Sequence, residues 1–349
     1  MKLLSLFTGI GAFEKALKNI GVDYELAGYC EVDKYASKSY SLIHNEDEEK
    51  NLWDITKVDI EKLPKDIDLI THGSPCQSFS LAGKQNGGDK GSGTRSSLMW
   101  NSVQIITHCR PKYVIWENVK NVLSVKHKHN FEQYLDTLEN LGYSNYYKVL
   151  NAKDFGIPQN RERIFVVSIL DNDDEFEFPL TKGYQKDYIF KDFVDLNEKV
   201  DDKFYLSKEK KMILKEKILN NKELFKKENG LLTTKPSEDK KKINRLFGLY
   251  DRENRPHADR YSFYSLYGLC PTLNTCAGGG LQPLFIEQGV IRKLTPKEYF
   301  RLMGFKDDDY KICKENGMSD TQLYKQAGNS IVVNVLEEIF KNLFNKKGE

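Results

Sequence analysis

The sequence LLSLFTGIGAFEKALKN, residues 3–19, is the most informative segment for the fold, because it joins a predicted strand to a predicted helix through a short glycine turn. The apolar run at residues 3–7 predicts a buried strand, and the apolar periodicity of residues 12–19 predicts a helix. Gly9 and Gly11 lie between them, so the main chain approaches a ligand closely at the electropositive end of the helix. The pair predicts a ligand-binding turn, although a tight turn alone also explains two such glycines.

Glu31 supports the ligand-binding interpretation, because it follows the next predicted strand, 20 positions after Gly11. An acid at about this distance accepts hydrogen bonds from a ribose in doubly wound folds. The third glycine of a dinucleotide fingerprint is missing, since Ala12 and Phe13 follow Gly11. We therefore expect a nucleoside cofactor without a pyrophosphate rather than NAD.

Strands and helices continue to alternate up to about residue 180, which is typical of an α/β fold with a parallel sheet. The further predicted strands span residues 24–30, 68–71, 113–116 and 164–169, and the further predicted helices span 33–40 and 131–141. Beyond residue 184 the pattern loosens, with a polar helix predicted at 209–227 and turn-rich strands at 252–280. This part predicts a smaller second domain, after which a helix at 332–344 returns to the first.

Composition narrows the classes of protein that the chain can belong to. Its 349 residues are 39% hydrophobic and 30% charged, and no apolar run approaches the ~18 residues that cross a bilayer. Residues 1–7 are too short for a signal-peptide core, so we expect a cytoplasmic protein. The six cysteines form no CxxC pair, which argues against a disulfide framework or a zinc site.

The net charge of +2 conceals a basic stretch at residues 203–260, which holds 17 Lys+Arg against 9 Asp+Glu. A solvated helix face is one interpretation of such a stretch. The other is a surface that faces nucleic-acid phosphates.

Three groups of polar residues follow or precede predicted strands. Cys76 follows Pro75 in the loop after residues 68–71, a position that suits a nucleophile better than a core thiol. Glu117 follows the strand at 113–116, either as a proton donor or as a helix cap. Arg161 and Arg163 precede the strand at 164–169, where alternation predicts that both face one ligand, unless they form a surface ladder with Glu162.

Taken in order, these segments resemble the motifs of the DNA cytosine-5 methyltransferase family in its compact bacterial form. The matching segments are residues 7–11, 30–33, 54–55, 73–76, 117–119, 159–163, 292–296, 301–305 and 326–330. The resemblance implies a Rossmann-like S-adenosylmethionine-dependent methyltransferase fold, a mostly parallel sheet with helices on both faces, plus a smaller target-recognition domain. It implies a catalytic domain at 1–183, completed by 320–349, and a target-recognition domain at 184–319.

The family's chemistry assigns roles to the four candidate catalytic residues. By resemblance, Cys76 bonds to C6 of a flipped-out cytosine, whose C5 then takes the methyl group of S-adenosylmethionine and leaves S-adenosylhomocysteine. Glu117 holds or protonates N3, Arg163 contacts O2, and Arg161 positions the Cys76 loop. No metal is implied.

The resemblance also implies contacts to the cofactor and to double-stranded DNA. The cofactor residues are Phe7, Gly9, Ile10, Gly11, Glu31, Val32, Asp54, Ile55, Pro75, Leu98, Asn329 and Ile331. The DNA residues are Ser80, Lys84, Gln85, Arg245, Arg260 and Thr272. Val32 departs from relatives that place a large side chain against the adenine, and Ser5 replaces an acid.

The expected role is a monomeric enzyme of a restriction–modification system or a phage, with any cognate endonuclease acting independently. Gln77 and Ser78 after Cys76 differ from the Cys-Phe-Thr of the tRNA-methylating branch, which favours DNA over RNA. A silent DNA-binding relative is the remaining alternative, and it would lack a nucleophile or a base contact.

Overall fold

The computed structural model describes residues 1–75, 88–171, 175–180, 188–236, 239–250, 261–276 and 281–344. The chain divides into two compact units. The first comprises residues 1–151, 162–180 and 333–349, and the second comprises 152–161 and 181–332. No helix in the described part is long and apolar enough to cross a membrane.

A mixed sheet forms the centre of the first unit. Among the described residues its strands are β1 (Lys2–Leu6), β2 (Glu25–Cys30), β3 (Leu69–His72), β4 (Tyr113–Val119), β5 (Tyr143–Asn151) and β6 (Glu162–Leu170). Their order is β2-β1-β3-β4-β6-β5. The first four strands are parallel, whereas β6 runs antiparallel to both β4 and β5. The predicted α/β fold with a largely parallel sheet is thus confirmed.

Helices cover both faces of this sheet. They are α1 (Ala12–Asn19), α2 (Lys34–His44), α3 (Met99–Cys109), α4 (Lys128–Glu139) and α9 (Val333–Phe344). Leu4 and Leu6 share one buried core with side chains of α3 and α4. Ser5 alternates to the other face, where its hydroxyl lies 2.9 Å from the Thr71 hydroxyl of β3. On that face α1 packs against α9, as expected for a C-terminal helix that returns to this unit.

The second unit has its own strands and helices. These are β7 (Phe225–Glu228), β8 (Leu231–Thr234), β9 (Arg245–Gly248), β10 (Ser262–Tyr264), β11 (Leu284–Glu287), β12 (Val290–Lys293), α5 (Lys208–Asn220), α6 (Pro296–Arg301), α7 (Asp307–Glu315) and α8 (Asp320–Asn329). In the described part the strands form a sheet of order β12-β11-β10-β9 and a β7-β8 hairpin. Their apolar side chains surround a separate core that includes Leu214, Phe247 and Phe263.

Several boundaries differ from the expected ones. The polar helix predicted at 209–227 ends at Asn220, because Phe225 enters the second core as part of a strand. Residues 152–161 and 320–332 cluster with the second unit, whereas the expected first domain comprised 1–183 and 320–349. The assignment of one part to catalysis and the other to DNA recognition stays a prediction.

Candidate active site

The glycine turn between β1 and α1 has a left-handed main chain. The φ angles are 56° at Phe7, 57° at Gly9 and 77° at Gly11. A Cβ atom at Gly11 would lie 2.2 Å from His44 Nε2, so only glycine fits there. Burial lowers the pKa of His44 to about 3, and the neutral ring lies 3.0 Å from the Ile10 carbonyl oxygen. His44 of α2 therefore supports the turn from behind.

The Glu31 carboxylate faces this turn. The Gly9 N–H donates to one of its oxygens at 2.9 Å, and the Asp33 N–H donates to the other at 2.8 Å. Asn51 fixes the main chain at the same point, donating to the Glu31 carbonyl at 2.9 Å and accepting from the Glu31 N–H at 3.1 Å. The fold thus brings together the acid and the glycine turn that the sequence singled out.

Two exposed apolar side chains lie close in sequence to Glu31 and to Asn51. Val32 is 67% exposed, and Trp53, whose main-chain N–H donates to Asn51 Oδ1 at 2.8 Å, is 45% exposed. Asp54 caps the short turn at Ile55 by accepting from the Thr56 N–H, and Ile55 is buried. Leu98 and Phe7 pack partly buried against the core that contains Ile55. A carboxylate, a close-approach main chain and exposed apolar groups fit the ribose and base of a nucleoside.

Two buried side chains of β4 hold the segment that leads into Cys76. Trp116 Nε1 donates to Ser74 Oγ at 3.0 Å, and Asn118 Nδ2 donates to the Ser74 carbonyl at 3.2 Å. Trp116 in turn stacks on the buried ring of His72, 5.9 Å between centroids. Pro75 is half-buried at the end of this segment, and Cys76 itself lies outside the described residues.

Glu117 and Arg163 come together across the β4–β6 ladder. Glu117 pairs with Phe165 and Val119 pairs with Arg163, so Glu117 and Arg163 are diagonal neighbours on antiparallel strands. Arg163 Nε lies 3.1 Å from Glu117 Oε1, and the two side chains retain 19% and 11% exposure. The pair is largely enclosed but still accessible.

Arg161 belongs to the second unit and is 4% exposed. Its guanidinium donates to the main-chain carbonyls of Leu273, Gly328 and Ser330 at 2.8–3.0 Å. These bonds fix the chain on both sides of Asn329, which is exposed, while Ile331 is 8% exposed. Within this unit Arg161 therefore positions the predicted cofactor residues 329 and 331.

The residues predicted to contact DNA are only partly described. Arg245 lies on β9 and donates from Nε to Ser262 Oγ at 3.1 Å, and Thr272 is exposed and donates to the Asn160 carbonyl. Ser80, Lys84, Gln85 and Arg260 lie outside the described residues.

Sequence reasoning missed the supporting roles of several side chains. Asn51 and His44 carry no motif signal, because each acts through a tertiary contact with a distant segment. Ser74 and Asn118 lie within the matching segments 73–76 and 117–119, and Trp116 adjoins the second of them, but none of the three was assigned a role.

The sheet and the glycine–glutamate cradle define a doubly wound, nucleoside-binding enzyme fold. Residues 1–345 match the family of C-5 cytosine-specific DNA methylases, so the chain belongs to that family and to its class of enzyme. The predicted family membership is confirmed.

Named relatives agree with this assignment. The chain is 41% identical to the type II methyltransferase M2.ScrFI of Lactococcus lactis subsp. cremoris, over 84% of this chain and 71% of the relative. It is 33% identical to the type II methyltransferase M.HhaI of Haemophilus parahaemolyticus, over 98% and 94%. The crystal structure of S. pombe Dnmt2 methyltransferase is similar with a TM-score of 0.68, at 17% identity over 99% of this chain and 98% of that one. At that identity the likeness shows the fold alone.

Proposed function

We propose that the protein methylates C5 of a cytosine flipped out of double-stranded DNA, through a covalent bond between Cys76 Sγ and C6 of the base. The observation that carries the proposal is the Glu117–Arg163 pair, 3.1 Å apart, on the strands next to the Ser74 segment that leads into Cys76. Family membership supplies the reaction class.

The pair suits a cytosine edge. In its protonated form Glu117 offers an O–H donor for N3 and an acceptor oxygen for the exocyclic amine, and Arg163 offers N–H donors for O2. Holding or protonating N3 withdraws electrons from C6, which makes C6 more electrophilic toward the Cys76 thiolate. The base has to leave the duplex first, at a cost of roughly a few kcal/mol.

S-adenosylmethionine supplies the methyl group, and the chain offers a cradle for its nucleoside half. Glu31 accepts hydrogen bonds from the ribose, while Val32, Trp53 and Ile55 border the adenine. Phe7, Gly9, Ile10, Gly11, Asp54, Pro75, Leu98, Asn329 and Ile331 complete the proposed set. Among the described residues no cluster of acids, histidines and cysteines has the arrangement of a metal site.

The second unit reads the DNA in this proposal, with Arg245 and Thr272 among its described contacts, and the protein acts as a monomer. Its role is protection of DNA in a restriction–modification system or a phage. Relatives of both kinds support that role: M.HhaI is a type II methyltransferase, and a protein of Bacillus phage SPR, named an orphan methyltransferase, is 33% identical over 100% of this chain.

A base-resolution 5-methylcytosine map tests the proposal. DNA is taken from a methylation-free host that expresses the chain, beside a Cys76→Ala control. We expect near-complete methylation of one short motif, absent from the control. A blank map from folded protein, or an unchanged map with Cys76→Ala, would contradict the proposal.

A further inference from the structure

A cavity of about 130 Å³ lies in the second unit, beside the start of α5. Lys203, Lys210 and Lys293 line it together with Gln282 and aromatic rings. The proposed function gives none of these four residues a role. Three ammonium groups around one small cavity are an unusual arrangement, because like charges repel when they are partly desolvated.

Two of the three lysines have no carboxylate to balance them. Lys203 Nζ is paired with Asp320 at 2.6 Å and with Asp201 at 3.1 Å. Within the described chain Lys210 and Lys293 have no carboxylate within 4 Å, and each ammonium instead lies over an aromatic ring, Lys210 4.3 Å from the Tyr261 centroid. Lys210 and Lys293 therefore bring two ammonium groups to the cavity without a carboxylate in contact.

Of the three lysines, Lys293 has the environment least favourable to a charged ammonium group. It is half-buried on β12, and burial lowers its pKa, with the charges of Lys210 and Lys203 lowering it further. Asp320 opposes this shift. A bound anion would offset both the cost of burying the Lys293 ammonium group and its repulsion from the other lysines, since it would supply an opposite charge.

Gln282 gives a second, independent indication of a ligand. It is 8% exposed, it lines the cavity, and its amide has no hydrogen-bond partner among the residues that the structure describes. The amide is not one of the fully enclosed polar groups, so it reaches the cavity, where it is available to a ligand. Ser207, which caps the 13-residue helix α5, adds the positive end of that helix to the same wall.

We propose that this cavity binds an oxyanion of the phosphate class through Lys293, Lys210 and Gln282. The ligand is either a backbone phosphodiester of DNA or free inorganic phosphate, which share the charge and the acceptor oxygens that the lysines recognise. Only the DNA source rests on the proposed function.

Inorganic phosphate is the first probe. Calorimetric titration of the full chain at constant ionic strength, with chloride as reference, measures its affinity in the wild type, Lys293→Gln, Lys210→Gln and Lys215→Gln. Lys215 is exposed on α5 and does not line the cavity, so it is the matched control. We expect Lys293→Gln and Lys210→Gln each to lose ~tenfold in affinity, because each removes a charge-assisted hydrogen bond, while the control is unchanged.

The second arm distinguishes the two sources. If a DNA phosphate fills the cavity, a bound duplex abolishes phosphate binding there. Lys293→Gln then makes the negative slope of log affinity for DNA against log salt shallower by ~0.9, because one phosphate contact is lost. If free phosphate is the ligand, it binds equally well with DNA present, and that slope is unchanged.

The proposal is overturned if wild-type protein binds phosphate no better than chloride and Lys293→Gln leaves the DNA salt slope unchanged. It is also overturned if phosphate binds but neither cavity variant weakens it. Phosphate titration needs no methyl transfer, so a failure here is separate from a blank methylation map.

Discussion

Arg161 and Arg163 stand two residues apart and occupy very different surroundings. Arg161 is 4% exposed and donates to three main-chain carbonyls of the second unit. Arg163 retains 19% exposure and pairs with the ionisable side chain of Glu117 in the first unit. A guanidinium bonded to carbonyls fixes the chain around it, whereas one paired with an accessible carboxylate is able to exchange that partner for a ligand.

Alternation along an extended segment groups the two arginines toward one ligand, and that grouping stays a prediction. The strand β6 begins at Glu162, so Arg161 precedes it. Sequence spacing alone therefore identified two candidate arginines. It did not distinguish the one that holds main-chain carbonyls in place from the one that is proposed to contact the cytosine. Variants at these two positions and at neighbouring residues test whether the two arginines differ in role.

Arg161→Met should have the largest effect, on stability. It removes three charge-assisted hydrogen bonds and leaves buried carbonyls without a donor, so we expect a loss of about 3–5 kcal/mol in the free energy of unfolding. Urea denaturation measures this loss. Arg163→Met is the comparison, with a smaller loss of about 1–3 kcal/mol expected because it breaks one ion pair that keeps some access to solvent; equal losses would remove the distinction.

Glu117→Gln should act on catalysis rather than on stability. The amide keeps the shape of the carboxyl but cannot exchange a proton with N3, so we expect kcat to fall about 10³-fold. Steady-state kinetics on the mapped motif, beside thermal unfolding, measures both quantities. A variant with normal kcat would exclude Glu117 from the chemistry.

Arg163→Met should reduce kcat about 10²-fold, because it removes a donor from the proposed O2 contact. Arg163→Lys keeps a charge without the planar fork and should recover part of the loss. If both variants retain full activity on duplex DNA, the pair with Glu117 is only structural.

Trp116→Phe should have the smallest effect. It removes the hydrogen bond to Ser74 Oγ and leaves a small void, which costs about 1–2 kcal/mol in stability and less than ~tenfold in kcat. Tyr134→Phe is the matched control, since Tyr134 bonds His72 at 3.0 Å and packs on Trp116 without touching Ser74. Equal changes in kcat for the two variants would mean that the Ser74 bond does not position the Cys76 segment.

Local patterns predicted much of the first unit. Helix α1 has the predicted bounds, because a glycine turn precedes it and one apolar face of it is buried. Strand β5 was missed, since its central residues are exposed or half-buried and polar side chains interrupt its apolar pattern. The short strands of the second unit depend on contacts between distant segments, so their bounds could not be read from spacing.

The candidate site divides in the same way. Gly9, Gly11 and Glu31 lie in local motifs, and the structure brings them together as expected. The supports of that site depend on long-range contacts that no spacing reveals: Asn51 holds Glu31, and Trp116 holds Ser74. Motifs therefore indicate the candidate binding residues, whereas tertiary packing decides what holds them.

Covalent trapping is the direct test of the proposed bond between Cys76 and the target cytosine. A duplex carrying the mapped motif is made with 5-fluorocytosine at the target. The fluorine replaces the C5 proton, whose loss would otherwise release the enzyme from the base. Mass spectrometry of the protein, after incubation with this duplex and S-adenosylmethionine, should show a covalent adduct whose peptide contains Cys76. An active enzyme that forms no adduct, or forms one at another residue, would contradict the account.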